Sequence, residues 1–266
     1  MDIVHLRKIK HWFQNYVDTF NDHNGQWHRF CEVKVDHCRR VAHEMRTLSK
    51  SLNWLPTGVL VAEAIGWLHD IGRFSQFRDF GTFSDAQSVN HGVRGWQVIL
   101  QSNIVSDLPD NEQQSILDAV YFHNGKALPG DLGKESLAML KLIRDADKLN
   151  IFYVVYDALV QDGFQDLQHM LPHIKMDGPI NPIILNELRW KRACSLTEVR
   201  SLTDFMLLQL SWIYDINYLP TFQQIAQRDI IANLLSYLPT DNHAINNVVG
   251  AIKRHADTSA SAGTFE

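Results

Sequence analysis

Residues 59–70 read VLVAEAIGWLHD, an almost unbroken apolar run that ends in a histidine and an aspartate. The run predicts a helix that is apolar on nearly every side and is therefore buried in the protein core. An imidazole and a carboxylate in such a place are costly to bury unless partner groups or a metal ion compensate them. His69 and Asp70 are therefore the first candidates for a functional site.

Helical periodicity selects four further polar residues that share a face with apolar side chains. They are His37, His91, His123 and Asp147. Other candidates nearby are expected at the surface: His43 lies among basic residues, and Asp145 has Lys141 and Lys148 within one turn, the pattern of an exposed charge pair. The stripes thus favour Asp147 over Asp145 as the buried carboxylate.

Four imidazoles and two carboxylates in one core suit borderline divalent metals such as zinc, manganese or iron. The side chains of His69 and Asp70 diverge by about 100° on a helix, so the carboxylate can bridge from one ion to a second. A pair of ions roughly 3.5–4 Å apart polarises a phosphoryl oxygen and generates hydroxide near neutral pH. The residue types therefore point to metal-assisted chemistry.

The order of these residues and their flanking strings resemble the HD-domain superfamily of metal-dependent phosphohydrolases. The strings are HCRRV at 37–41, LHDIGR at 68–73, NHG at 90–92, FHN at 122–124 and ADKL at 146–149. The resemblance covers residues 30–160 and implies an all-α fold, an HD-domain-like helical bundle with additional C-terminal helices. One departure is that Asn124 follows His123, where the cyclic-dinucleotide phosphodiesterase branch has a second histidine; no Gly-Tyr-Pro is found either, which disfavours that branch.

By this resemblance, one ion has four protein ligands, which are His37, His69, Asp70 and Asp147. A second ion shares Asp70 and is completed by His91 and His123, unless these two histidines orient the substrate phosphate instead. Arg73 stands where many relatives carry a lysine, and its guanidinium is expected to bind phosphate bidentately. A structural salt bridge is the alternative role for Arg73.

Composition and charge restrict the class of protein. The chain has 266 residues, of which 45% are apolar, enough for one large core. Its net charge is −5, from 25 basic and 30 acidic residues, which does not predict a nucleic-acid surface. Three cysteines without metal-like spacing, no signal-peptide pattern and no long apolar run favour a cytoplasmic protein that does not bind membranes.

The pattern along the chain is almost wholly helical. Helices are expected near 2–20, 30–52, 57–70, 87–102, 110–123, 134–161, 182–192, 196–217, 221–237 and 242–255. The segment 74–89 is expected to connect two helices and to form a wall or lid over the substrate. Four regions follow: an N-terminal helical extension (1–29), the HD-like metal-binding catalytic core (30–161), a C-terminal helical region packed on the core (162–255) and a flexible tail (256–266).

The favoured function is a metal-dependent phosphohydrolase that cleaves a phosphate ester of a nucleotide or other small phosphorylated metabolite by attack of metal-bound hydroxide. Asp70 and Arg73 are the expected catalytic residues. One or two ions of manganese, iron, zinc, cobalt or nickel are expected, together with a possible homodimer. Two alternatives stay open, a diiron oxygenase of the same fold and a nucleotide-binding module without turnover.

Overall fold

The computed structural model describes residues 1–162, 174–239 and 241–261. Within those ranges the chain is helical and contains no β-strand, only two isolated β-bridges, so the predicted all-α fold is confirmed. The chain divides into two compact units, Met1–Asn150 and Ile151–Glu266. The sequence placed the end of the catalytic core after residue 161, and its division into an N-terminal extension, a catalytic core and a C-terminal region stays a prediction.

The first unit is built from the N-terminal helices. They are α1 (Ile3–Asp18), α2 (Arg29–Ser51), α3 (Pro56–Leu68), α4 (Gly72–Phe80), α5 (His91–Ser102), α6 (Asp110–Phe122) and the first part of α7 (Lys134–Asp162). Local signals explain several helix starts. The Asp2 carboxylate accepts hydrogen bonds from the first free backbone N–H groups of α1, and Pro56 occupies the first turn of α3, where no N–H donor is needed.

Two glycines allow the helices of this unit to approach closely. A Cβ atom at Gly66 of α3 would collide with the backbone of Ala42 in α2. A Cβ atom at Gly72 would likewise collide with the carbonyl oxygen of His91, at the start of α5. Both positions therefore require glycine, and both lie within four residues of the His-Asp pair.

The second unit contains the C-terminal helices. They are α8 (Pro182–Arg189), α9 (Leu202–Ser211), α10 (Leu219–Gln227), α11 (Ile230–Leu235) and α12 (His243–Ser261). The helix expected over 196–217 is shorter, because 3₁₀ turns replace both of its ends. The helix expected over 221–237 is two helices, since Asp229 adopts a left-handed conformation (φ 52°) that an α-helix does not continue through.

Two further expectations differ from the structure. The first half of the segment 74–89 is not a loop but belongs to α4, which ends at Gly81 with a positive φ of 65°. The proposed tail is also helical as far as Ser261, and residues 262–266 lie outside the described part. No described helix is both long and apolar enough to cross a membrane.

Candidate metal centre

The structure brings together all six predicted ligands. His37 lies in α2, His69 and Asp70 directly follow α3, His91 begins α5, His123 directly follows α6, and Asp147 lies in α7. The four imidazoles and Asp70 are buried, whereas the Asp147 side chain is 22% exposed. Helix ends therefore deliver most of the donors, and the surrounding core shields them from water.

The first ligand group consists of His37, His69, Asp70 and Asp147. The Nε2 atoms of His37 and His69 lie 3.2 Å apart. Asp147 Oδ1 lies 3.1 Å from His37 Nε2 and 3.9 Å from His69 Nε2, and Asp70 Oδ2 lies 3.6 and 3.9 Å from the same two atoms. His37, His69 and Asp70 are close enough to hold one metal ion together.

The second ligand group consists of Asp70, His91 and His123. The Nε2 atoms of His91 and His123 lie 3.0 Å apart. The other carboxylate oxygen of Asp70, Oδ1, lies 3.3 and 3.7 Å from them. These three residues form a second set that could hold an ion. Each oxygen of Asp70 thus faces a different group, which is the geometry of a bridging carboxylate.

Every histidine of the two groups has an oxygen acceptor at its outer nitrogen. His69 Nδ1 and His123 Nδ1 each donate to a backbone carbonyl, that of Gly66 and that of Val120, at 2.8 Å. His37 Nδ1 lies 2.8 Å from Asn150 Oδ1, and His91 Nδ1 lies 2.7 Å from a carboxylate oxygen of Asp85. Because an oxygen acceptor fixes the proton on Nδ1, the Nε2 lone pair of each ring points inward.

This arrangement fits a cation. Four nitrogen lone pairs and two carboxylates face one another at 3.0–3.9 Å, so they repel unless positive charge lies between them. Asp147 Oδ1 is buried and accepts no hydrogen bond within the described residues. Neutral imidazole nitrogen and carboxylate oxygen are also the donors that zinc, manganese and iron prefer.

The electrostatics keep His69, His91 and Asp70 in their metal-binding protonation states. Burial lowers the pKa of His69 to about 3 and that of His91 to about 4, so both rings are neutral at pH 7. Burial by itself would raise the pKa of the Asp70 carboxyl, but the charges of Lys34 and Arg73 hold it well below its ordinary value. The carboxylate is therefore ionised.

Residues 35–150 match the family model of the HD domain, and the matched range includes all six predicted ligands. The chain contains an HD domain. HD domains bind divalent metals, and the family consists in general of metal-dependent hydrolases that act on phosphate groups. A comparison with curated proteins and a comparison with solved structures each found no match to the chain.

The HD domain contains functional candidates that the sequence reading missed. Lys34 lies one turn before His37 on α2, and its Nζ donates to Asp70 Oδ2 at 2.7 Å. Asn150 lies one turn after Asp147 on α7 and contacts His37, as described above. Both residues stand three positions from a predicted ligand, so the same helical spacing that selected the ligands could have found them.

Asp85 is the third missed residue and gave no periodic signal, because it lies in a 3₁₀ turn between α4 and α5. Besides His91, its carboxylate accepts from Gln76 Nε2 at 2.9 Å, Arg73 Nη1 at 3.0 Å and Asn124 Nδ2 at 3.0 Å. This set of donors lowers the pKa of Asp85 despite its burial. Asp85 is therefore an ionised carboxylate that accepts a hydrogen bond from His91 Nδ1 and fixes the orientation of that ring.

Arg73, which the sequence predicts as a phosphate contact, is engaged within the protein. Its Nε donates to Asp70 Oδ1 at 3.4 Å, and its Nη1 donates to Asp85 and to Gln76 Oε1 at 3.1 Å. The alternative role, a structural salt bridge, thus has partners in the structure. A contact between Arg73 and a substrate phosphate stays a prediction.

The surface assignment of Asp145 was wrong, since its side chain is fully buried. Leu142, Ile143, Ala146 and Leu149 are also fully buried, so α7 is enclosed on more than one side at this point. An apolar stripe cannot separate an inner from an outer face on such a helix. The expectation for His43 was correct, because it is exposed on α2.

Proposed function

We propose that this HD domain is a metal-dependent phosphohydrolase that cleaves a phosphate ester of a nucleotide or another small phosphorylated metabolite. The observation that carries the proposal is the pair of ligand groups on the two oxygens of Asp70. When bound, divalent ions supply Lewis acidity toward a phosphoryl oxygen and make water more acidic. The family match supports this reaction class.

The six ligands have one task in this reaction, which is to present fixed lone pairs. Because each outer nitrogen is anchored, the imidazoles cannot rotate away, and their positions need no reorganisation when substrate arrives. Asp70 is proposed to keep the two ligand groups at a fixed separation. It is also proposed to orient the attacking water through whichever of its two oxygens lies nearer to that water. Its ionised state lets it accept a hydrogen bond from that water.

Two cations are the proposed contacts to the phosphate group. Lys34 Nζ and Arg73 Nε each lie beside one oxygen of Asp70, and both side chains are partly exposed, at 15% and 16%. The ring of Phe83 flanks both, with its centroid 5.8 Å from Lys34 Nζ and 6.0 Å from Arg73 Cζ. Positive charge at this edge would neutralise the equatorial oxygens of a phosphoryl group in the transition state.

Phosphate release by the purified 266-residue chain tests the proposal. The protein is stripped with a chelator, reloaded separately with manganese, iron, cobalt, nickel or zinc, and assayed on a panel of nucleotides and sugar phosphates. We expect phosphate release that is lost on chelation and restored by at least one metal. Absence of release from every substrate with every metal would contradict the proposal.

Two other results would support different functions. Substrate-dependent oxygen uptake by the iron-loaded protein, without phosphate release, would favour a diiron oxygenase with the same ligands. Tight nucleotide binding in several metals without any product would favour a binding module. The nucleotide substrate, the identity and number of the ions, the cytoplasmic location and the homodimer stay predictions, and the metal content of the same preparation tests two of them.

A further inference from the structure

A cavity lies in the first unit, away from the ligand groups. It has a volume of about 550 Å³ and is lined by residues from α1, the C-terminal end of α2 and the first turns of α3. Its lining residues nearest to the ligands along the helices are Arg46, nine residues beyond His37, and Glu63, six residues before His69, about 14 and 9 Å away along the helix axes. None of the six candidate ligands lines the cavity. The cavity is therefore separate from the candidate metal centre.

The inner surface of this cavity is mainly aliphatic. Leu6 and Val59 are buried in its floor, and Leu60 and Trp54 are half-buried beside them. Ile3 continues the apolar surface toward the outside and is 48% exposed. Covering apolar surface of this kind with a hydrocarbon group lowers the free energy of the complex, because both surfaces are removed from water.

The rim of the cavity is basic. Arg7 and Lys10 lie three residues apart on one face of α1, and Arg46 and Lys50 lie four residues apart on one face of α2. The single carboxylate in the lining, Glu63, is nearly buried. The lining therefore contains four cations from two helices and one acid.

Two of these cations form ion pairs with Glu63 and two do not. Glu63 pairs with Lys10 Nζ at 3.4 Å and with Arg46 Nε at 3.8 Å, so its charge is compensated inside the lining. Arg7 and Lys50 form no ion pair within the described residues and are exposed. The cavity thus combines an aliphatic floor with uncompensated positive charge at its mouth.

We propose that this cavity binds a small amphipathic anion, an alkyl chain that ends in a carboxylate or a phosphate. The chain would cover the floor formed by Leu6, Val59 and Leu60, and the anionic end would contact Arg7 and Lys50. The volume is within the range of about 300–1,000 Å³ that is usual for small-ligand sites. The inference does not depend on the proposed phosphohydrolase reaction.

Isothermal titration calorimetry on the full chain tests this site. The probes are a medium-chain alkyl carboxylate, the alkyl phosphate of equal chain length and the neutral alcohol of equal chain length, all below their micelle concentrations. We expect saturable binding of one anion per chain, at least tenfold tighter than binding of the alcohol. Equal affinity for the alcohol, or no saturable binding of either anion, would overturn the proposal.

Variants of the rim separate charge from general surface effects. The double variant R7Q/K50Q is expected to bind both anions at least tenfold more weakly and the alcohol as before. The matched control is K8Q, because Lys8 lies next to Arg7 on α1 but pairs with Asp107 outside the cavity. Unchanged anion binding by R7Q/K50Q, or an equal loss in K8Q, would contradict the assignment.

A floor variant and a lipid control complete the test. L60W fills part of the cavity and is expected to abolish binding of the alkyl anions; if this variant fails to fold, the charge variants still decide the matter. Vesicles with anionic headgroups are titrated in parallel with the wild type. Binding to vesicles without binding to the monomeric anions would show a membrane-facing surface and would overturn the proposed small-molecule site.

Discussion

The two ligand groups of the HD domain share Asp70 but differ in the acceptors that face the outer nitrogen, Nδ1, of their histidines. In the first group the outer acceptors are neutral, the Gly66 carbonyl behind His69 and the Asn150 amide oxygen behind His37. In the second group His91 donates to an ionised carboxylate, that of Asp85. A carboxylate partner makes an imidazole a stronger donor to a metal, so two positions with similar ligands are chemically unequal.

The largest expected effect comes from removing what the groups share. D70A deletes the carboxylate that faces both, so we expect binding at both positions to weaken and phosphate release to fall by at least about 10³-fold. Metal content and turnover are measured on the same preparation. The control is D36N, because Asp36 lies beside His37 on α2 but pairs with Arg39 at the surface. Full turnover by D70A would show that the proposed mechanism is wrong.

Single-ligand variants test whether the two groups act separately. H37Q removes a donor from the first group and H91Q from the second, and each should lower the affinity for one ion by about 10²-fold while sparing the other. Anomalous scattering from crystals of each metal-loaded variant reports the occupancy of the two positions. H43Q, an exposed position on α2, is the control. Loss of both ions from each variant would mean that the groups are not independent.

The pH dependence of stability compares one histidine from each group in the metal-free protein. The folded pKa values of His69 and His91, about 3 and about 4, lie below the ordinary value of 6.5, so below pH 6.5 the unfolded chain binds protons that the folded chain does not. The free energy of unfolding therefore falls as the pH decreases. From pH 7 to pH 5 we expect each histidine to lower it by about 2 kcal/mol.

Urea unfolding at the two pH values measures this effect. H91Q should lose the share that His91 contributes and retain that of His69, whereas H43Q should retain both. A stability difference between pH 7 and pH 5 that is equal in H91Q and in the wild type would exclude His91 as a buried neutral ring.

The smallest expected effect addresses the difference between the groups directly. D85N keeps the shape of the side chain but removes the charge behind His91, and we expect metal affinity at the second group to fall by about tenfold. N150A removes the neutral acceptor behind His37 and should affect the first group instead. Metal titration of each variant measures the two affinities. A lower metal affinity at the first ligand group in D85N would contradict the assignment of Asp85 to the second group.

Comparison of sequence and structure shows which residues a single chain reveals. The six candidate ligands could be selected because each shares a helical spacing with apolar residues or lies at a helix end. On α7 the same spacing misplaced Asp145, because that helix is enclosed on more than one side. Asp85 could not, because it reaches His91 from a 3₁₀ turn, and only the packing of α4 against α5 brings it there. Helix α4 was missed because its aromatic and glycine-flanked sequence has no clear stripe.

Gly66 joins two properties in one residue. Because it has no side chain, α3 can approach α2 closely, and its carbonyl oxygen accepts the hydrogen bond from His69 Nδ1. A larger residue there would push the two helices apart and shift the carbonyl at the same time. We therefore expect helices α2 and α3 to separate on heating in the same cooperative event that releases a bound ion. Loss of the ion during heating would then report the temperature at which the two helices separate.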